Sequence, residues 1–201
     1  MSSPENKIYN GDIVAGSLLM EESRKVACLL LEEVNADGWY QAIILDNILQ
    51  KRSPAAAKKQ ALLIKRRLTT MDRELWQLVH DGSSEITAQA LLAATIKQSR
   101  LVGDFMDKVL RLHWKTFTKK IGISDWNQFL DTCVQVDPQV DTWKESTRSK
   151  LKQVVFRMLA EAKYIESTRT CKLIPVSLAP EIEKYLAKKN EAYVLKCMKV
   201  M

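Results

Sequence analysis

Asp104 and Asp107 stand one helical turn apart, a spacing from which two carboxylates can share a divalent cation, yet no histidine and no third acid lies beside them. Arg100, Lys108 and Arg111 each fall four residues from one of these acids. Opposite charges at that spacing pair along a helix for ~0.3–0.5 kcal/mol each, so charge compensation is the expected role. The four cysteines (Cys28, Cys133, Cys171, Cys197) are far apart and form no CxxC pair. Cys28, beside Val26, Ala27 and Leu29, reads as a reduced, buried thiol on an apolar helical face, and the isolated His80 and His113 complete no ligand set. Walker, GxSxG and zinc motifs are missing from the sequence. No catalytic residue, metal or cofactor is expected, and the chain is not read as an enzyme.

The chemistry left is that of lysine and arginine toward polyanions. The net charge of +7 is unevenly spread over the 201 residues. Residues 1–50 carry three basic against eight acidic side chains, whereas 51–67 carry seven basic and no acidic one. Residues 97–120 hold seven against two and 142–172 eight against three, separated by a 121–141 stretch with four aspartates and no Lys or Arg. Such alternation points to separate cationic surfaces.

The elements that would present these charges are helices. In Ser53–Met71, Ser53 is a capping residue, Pro54 suits the first turn, and Ala57, Ala61, Ile64, Leu68 and Met71 recur at helical spacing. Lys59 and Arg66 then point directly away from the apolar stripe, with Lys58 and Lys65 on its flank. Trp39 to Gln50 reads as a shorter helix, joined to the next through Lys51 and Arg52, which makes a helix-turn-helix candidate with Ala55, Ala56, Lys58 and Lys59 nearest the DNA. A supporting helix runs from Gly16 or Ser17 to about Asn35, after an arm over residues 1–14. Further helices are expected over Arg73–His80 capped by Asp72, Ile86–Ile96 as a central core helix, and Gln98–Lys120 with Leu101, Phe105, Val109, Leu112 and Phe117 inward. Trp114 reads as core, with base stacking as the alternative. Beyond Ile121-Gly122, Ser124 caps a helix to Val136, stopped by Asp137-Pro138.

A second basic helix starts between Thr142 and Ser146 and ends near Lys163, with Leu151, Val154, Val155, Met158, Leu159 and Ala162 inward and Lys150, Gln153 and Arg157 outward. Residues 164–176 then read as a two-stranded ribbon, the wing of a winged helix, with Arg169 and Lys172 placed to touch phosphate. Two short helices, Pro180–Lys189 and Glu191–Met198, finish the chain. The expected fold is mainly α: a helical bundle with an N-terminal helix-turn-helix domain over 1–122 and a C-terminal winged-helix-like domain over 123–201 bearing a small β-hairpin. The first residues lack a secretory pattern and no run of about 18 apolar residues occurs, so no membrane association and a cytoplasmic location are expected.

The chain resembles the BrxA family of the bacterial BREX phage-defence systems over nearly its whole length. The resemblance rests on AGSLLMEESRKVACLLLE (Ala15 to Glu32), LLIKRRL (Leu62 to Leu68), KQSRLVGDFM (Lys97 to Met106), WKESTRSKLKQ (Trp143 to Gln153), RMLAEAKYI (Arg157 to Ile165) and the LAPE-plus-YL ending (Leu178 to Leu186). It implies an all-helical protein with helix-turn-helix and winged-helix-like parts that binds double-stranded DNA beside larger BREX components, including a methyltransferase and ATPases. Some members carry an inner-membrane label, for which this sequence gives no physical support. No base-reading residue transfers from the resemblance. From charge and placement, the expected phosphate contacts are Lys51, Arg52, Lys58, Lys59, Lys65, Arg66, Lys150, Arg157, Arg169 and Lys172. A protein-interaction subunit docking other BREX proteins and an RNA-binding helical protein stay open as alternatives. Oligomeric state and site preference are not readable from the sequence.

Overall fold

The computed structural model describes residues 8–200. Helices dominate, and among the described residues the only β pairing is two isolated antiparallel bridges, Lys120 with Lys172 and Ile165 with Leu173. The chain folds into two compact units that share it in alternation. The first comprises 1–17, 99–177 and 193–201, and the second 18–98 and 178–192. The division expected near residue 122 is not the one this grouping draws, because segments on both sides of it belong to one core. Phe105 packs against Trp126 and Phe129 at ring-centroid distances of 5.3 and 5.2 Å, and against Phe156 at 5.9 Å. Ile121 also donates its backbone N–H to Cys171 O at 3.1 Å.

In the second unit, α1 (Met20–Leu31), α3 (Pro54–Leu68) and α4 (Arg73–Asp81) pack around α5 (Ser84–Gln98). α5 is buried from Thr87 to Ile96 on every side, as a helix with no charged side chain over that stretch allows, and the Thr87 and Thr95 hydroxyls are bonded to backbone carbonyls. The stripe on α3 packs as the spacing predicts: Ala57, Ala61, Ile64 and Leu68 are buried. Each large aliphatic side chain so buried stabilises the unit by roughly 1.5–3 kcal/mol. Ser53 Oγ accepts the Ala56 N–H at 3.2 Å with Pro54 in the first turn, and Asp72 caps α4 through the Glu74 N–H at 3.1 Å. α10 (Pro180–Lys188) is tied to α4 by Tyr185 Oη donating to Asp72 at 3.1 Å and by Lys188–Glu74 at 2.9 Å.

The helix expected over Trp39–Gln50 differs. It starts earlier, as α2 (Ala36–Tyr40), capped by the Asn35 side chain on the Gly38 N–H, and passes into a π turn at Gln41–Leu45. The chain then runs non-helically from Asp46 to Ser53, with left-handed backbone at Asn47 and Gln50. The connection to α3 is therefore longer than the three or four residues of a tight helix pair.

The first unit holds the rod α6 (Arg100–Phe105), π turn (Met106–Leu110) and α7 (Arg111–Lys115), followed by α8 (Ile123–Val136) and α9 (Glu145–Glu161). α8 starts two residues earlier than Ser124 implies: Gly122 is its cap, with Asp125 Oδ2 accepting the Gly122 N–H at 2.7 Å. The described part of the expected arm is docked. Asp137 accepts the Ile8 and Tyr9 N–H groups at 3.0 Å each, and buried Tyr9 donates to Asp104 at 2.7 Å. Residues 1–7 of that arm lie outside the described residues. The expected ribbon over 164–176 is reduced to single bridges. Left-handed Cys171 and the Ser167–Thr170 turn bend the chain before a ladder can form, and Leu173 turns its N–H to Lys119 O at 2.9 Å.

Candidate nucleic-acid interface

On α3, Lys58, Lys59, Lys65 and Arg66 are all exposed, and Arg52 is exposed in the preceding turn. Among the described residues, Arg52, Lys58, Lys59 and Arg66 have no carboxylate within ion-pair distance. Lys65 rests over the Trp39 ring with Nζ 4.3 Å from its centroid, a contact that orients the ammonium without neutralising it. Lys51 departs from the expectation, because its ammonium is half-buried and bonded to Glu22 at 2.7 Å. Burial raises the Glu22 pKa, but Lys51 overrides it and holds that carboxyl below its ordinary value. Arg67, the last basic residue of the run, is fully buried and donates to Leu18 O at 3.3 Å. Its position on the same side as Leu68 and Ile64 put it inward, so the cationic face is narrower than the raw charge count.

Beside this face, Trp39, Tyr40, Ile43, Ile44 and Pro54 line an apolar groove of about 350 Å³ with Lys58 among its walls. Tyr40 and Leu45 are themselves exposed.

In the first unit, Lys150 on α9 is exposed and bonded to Gln153 at 2.9 Å, while Arg157 is exposed and lies 3.5 Å from Glu161. Arg169 and Lys172 are exposed on the 167–172 turn and unpaired among the described residues. That turn lies against Lys119–Ile121 through the Lys120–Lys172 bridge, so Lys119 and Lys120 join Lys172 at one place. The other basic residues of 97–111 are compensated. Arg100 and Lys108 reach Asp104 at 3.6 and 3.2 Å, Arg111 reaches Asp107 at 2.8 Å, and Lys97 pairs with Glu191.

The described residues contain no group of three or more His, Cys, Asp or Glu able to hold a metal ion. All four cysteines are free; burial pushes the Cys133 thiol up to about 12 and Cys197 up to about 11. Thiols raised that far are protonated at neutral pH and poor nucleophiles. Cys28 is only half-buried, contrary to expectation. No helix among the described residues is long and apolar enough to cross a membrane.

A family model described as BrxA matches residues 7–190. The chain belongs to the BrxA family. It is 44% identical over 192 residues to "BREX protein BrxA" of Paramagnetospirillum magneticum, covering 96% of each chain. Its identity to "BREX protein BrxA" of Escherichia coli is 34% over 181 residues, covering 90% of this chain and 85% of that one. It is also similar to the crystal structure of an uncharacterized protein from Magnetospirillum magneticum, with a TM-score of 0.89 and 42% identity over 96% of this chain and all of the other.

Two apolar side chains of this BrxA-family chain depart from their expected places, one on α7 and one just beyond it. Leu112 and Phe117, expected inward, are exposed at 56% and 90%. Phe117 is exposed because the helix expected to run to Lys120 ends at Lys115, and the π turn at Met106–Leu110 supplies the reason for Leu112. Its one extra residue rotates everything beyond it by about 100°. The seam continues through Met106 and Leu110 instead of Val109, and Leu112 swings out. Trp114 is half-buried on the wall of a shallow cavity with Phe117, Lys119 and Lys172.

Proposed function

We propose that the chain is a non-enzymatic component of a BREX phage-defence system that grips double-stranded DNA through phosphate contacts. Family membership supports the BREX role. The observation that carries DNA contact is the outer face of α3, where Lys58, Lys59 and Arg66 project unpaired from a helix locked by its buried stripe, with Arg52 beside them. Side chains of this kind displace condensed counterions from a duplex, which makes affinity fall steeply with salt. In this reading α2, its connection and α3 act as an elongated helix-turn-helix with the N-terminal half of α3 toward the groove. α8, α9 and the 167–172 turn act as a winged-helix-like unit whose wing is the short bridged turn, with Arg169 and Lys172 on phosphate. Lys51 drops out of the contact set because Glu22 already neutralises it.

The apolar groove beside Lys58 favours a second reading, in which the α2–α3 corner docks another BREX protein. Fluorescence anisotropy with a random duplex across a salt series separates the two. Lys59→Glu with Arg66→Glu weakens duplex binding under the first reading. Under the second, it leaves duplex affinity intact and removes pull-down by BREX subunits.

A further inference from the structure

Phe117 is 90% exposed and sits in the left-handed region at φ 55°. It closes α7 as a Schellman cap: Thr118 donates its N–H to His113 O at 2.8 Å and Phe117 its N–H to Trp114 O at 3.3 Å. That position is glycine's by default, because a side chain there crowds the backbone. Phenylalanine gains neither conformational ease nor burial at this site, which leaves the whole ring available for a contact outside the fold. The ring also stands on a firm base. Lys119 O accepts the Leu173 N–H at 2.9 Å, and Ile121 donates its N–H to Cys171 O, with Leu173 and Ile121 themselves buried.

Charge surrounds it. Lys115, Lys119, Lys120, Arg169 and Lys172 are exposed and lack an ion-pair partner among the described residues. Glu166 is the single carboxylate in 164–173, and no ion pair ties it to these cations. One aromatic ring presented on a rigid turn among cations matches what a stacked polyanion accepts. A lipid surface rewards a wider apolar face, whereas here threonines flank the ring at 116 and 118.

We infer that Phe117 is a wedge that enters between stacked base pairs from the minor groove of duplex DNA, while Lys115, Lys119, Lys120, Arg169 and Lys172 hold the flanking phosphates. Side chains used this way unstack a step and bend the duplex toward the major groove. The inference rests on the DNA-binding reading and deepens it.

The test uses the full chain and a random-sequence duplex carrying donor and acceptor dyes at its ends. Bound wild-type protein raises energy transfer between the dyes. Phe117→Gly abolishes that rise, weakens duplex binding by no more than about tenfold because the phosphate contacts remain, and leaves the thermal midpoint unchanged or higher. Phe117→Leu, which keeps an apolar wedge, retains most of the rise. Binding without any change in energy transfer, or an equal rise with Phe117→Gly, overturns the wedge but leaves the DNA reading standing. No duplex binding in dilute buffer sinks both. Phe117-dependent binding to anionic phosphatidylserine vesicles, with duplex geometry unaffected, overturns the wedge in favour of a membrane contact.

Discussion

Replacing Arg52, Lys58, Lys59 and Arg66 together with glutamine removes the unpaired cations of α3 and its preceding turn while leaving the helix's buried stripe untouched. Each phosphate contact contributes about 0.9 to the slope of log affinity against log salt. Losing all four therefore flattens that slope by up to ~3.6. Over a fourfold rise in salt, the share of affinity lost through these contacts is about two orders of magnitude in the wild type and none in the variant. The substituted positions are exposed, so the thermal midpoint should hold, since such changes usually stay within about 0.5 kcal/mol each. Lys51→Gln is the internal control. Its ammonium already belongs to Glu22, so the slope stays at the wild-type value. Anisotropy titrations of a labelled random duplex at four salt concentrations give each slope. An unchanged slope in the quadruple variant, or one flattened as much by Lys51→Gln, refutes the assignment of the grip to this face.

Acid should loosen the first unit through Asp104. Burial raises its pKa, but the Tyr9 and Tyr193 hydroxyls and Lys108 prevail and hold it below its ordinary 3.8. A depressed folded pKa gives stability that is complete above the unfolded value and is lost as pH falls through the folded one, so the loss lies below about pH 4. Tyr9→Phe removes one of those hydroxyls and moves the acid midpoint upward by circular dichroism; an unmoved midpoint counts against the account. Arg67→Ala should lower stability by about 2–4 kcal/mol in urea unfolding, since a fully buried side chain and its bond to Leu18 O both go, and a surface-like change below about 0.5 kcal/mol contradicts its inward placement. Trp126→Ala empties the centre of the Phe105–Phe129–Phe156 cluster and should cost about 3–5 kcal/mol, checked by the same unfolding measurement.

Where local spacing and caps decide the outcome, the sequence was legible. Ser53 and Pro54 open α3, Asp72 opens α4, Asp137-Pro138 ends α8, and the α9 stripe from Leu151 to Leu159 is buried as its period requires. The acids Asp104 and Asp107 compensate their neighbouring cations as expected. Two kinds of information were not legible. A π turn leaves no compositional mark, so the phase error it introduces carried Leu112 to the wrong face, while Phe117 lies past the early end of α7 at Lys115. Pairing across long separations is equally silent: nothing around Lys51 announces that Glu22, on α1, will take its charge. Arg67 is the opposite case: its spacing from Ile64 puts it on the buried side, and only the count of the charge run hid that. The ribbon at 164–176 was over-read because alternating residues specify strands only where a partner ladder forms, and here each bridge stands alone.

The alternation of the two units along the chain has a consequence for how the protein is made. The second unit lacks its Tyr185–Asp72 and Lys188–Glu74 ties until residues 178–192 have been synthesised. The first waits still longer, for Tyr193 to reach Asp104 and for Met198 to receive the Tyr164 hydroxyl. A chain grown only to residue 177 therefore lacks all four ties, two in each unit.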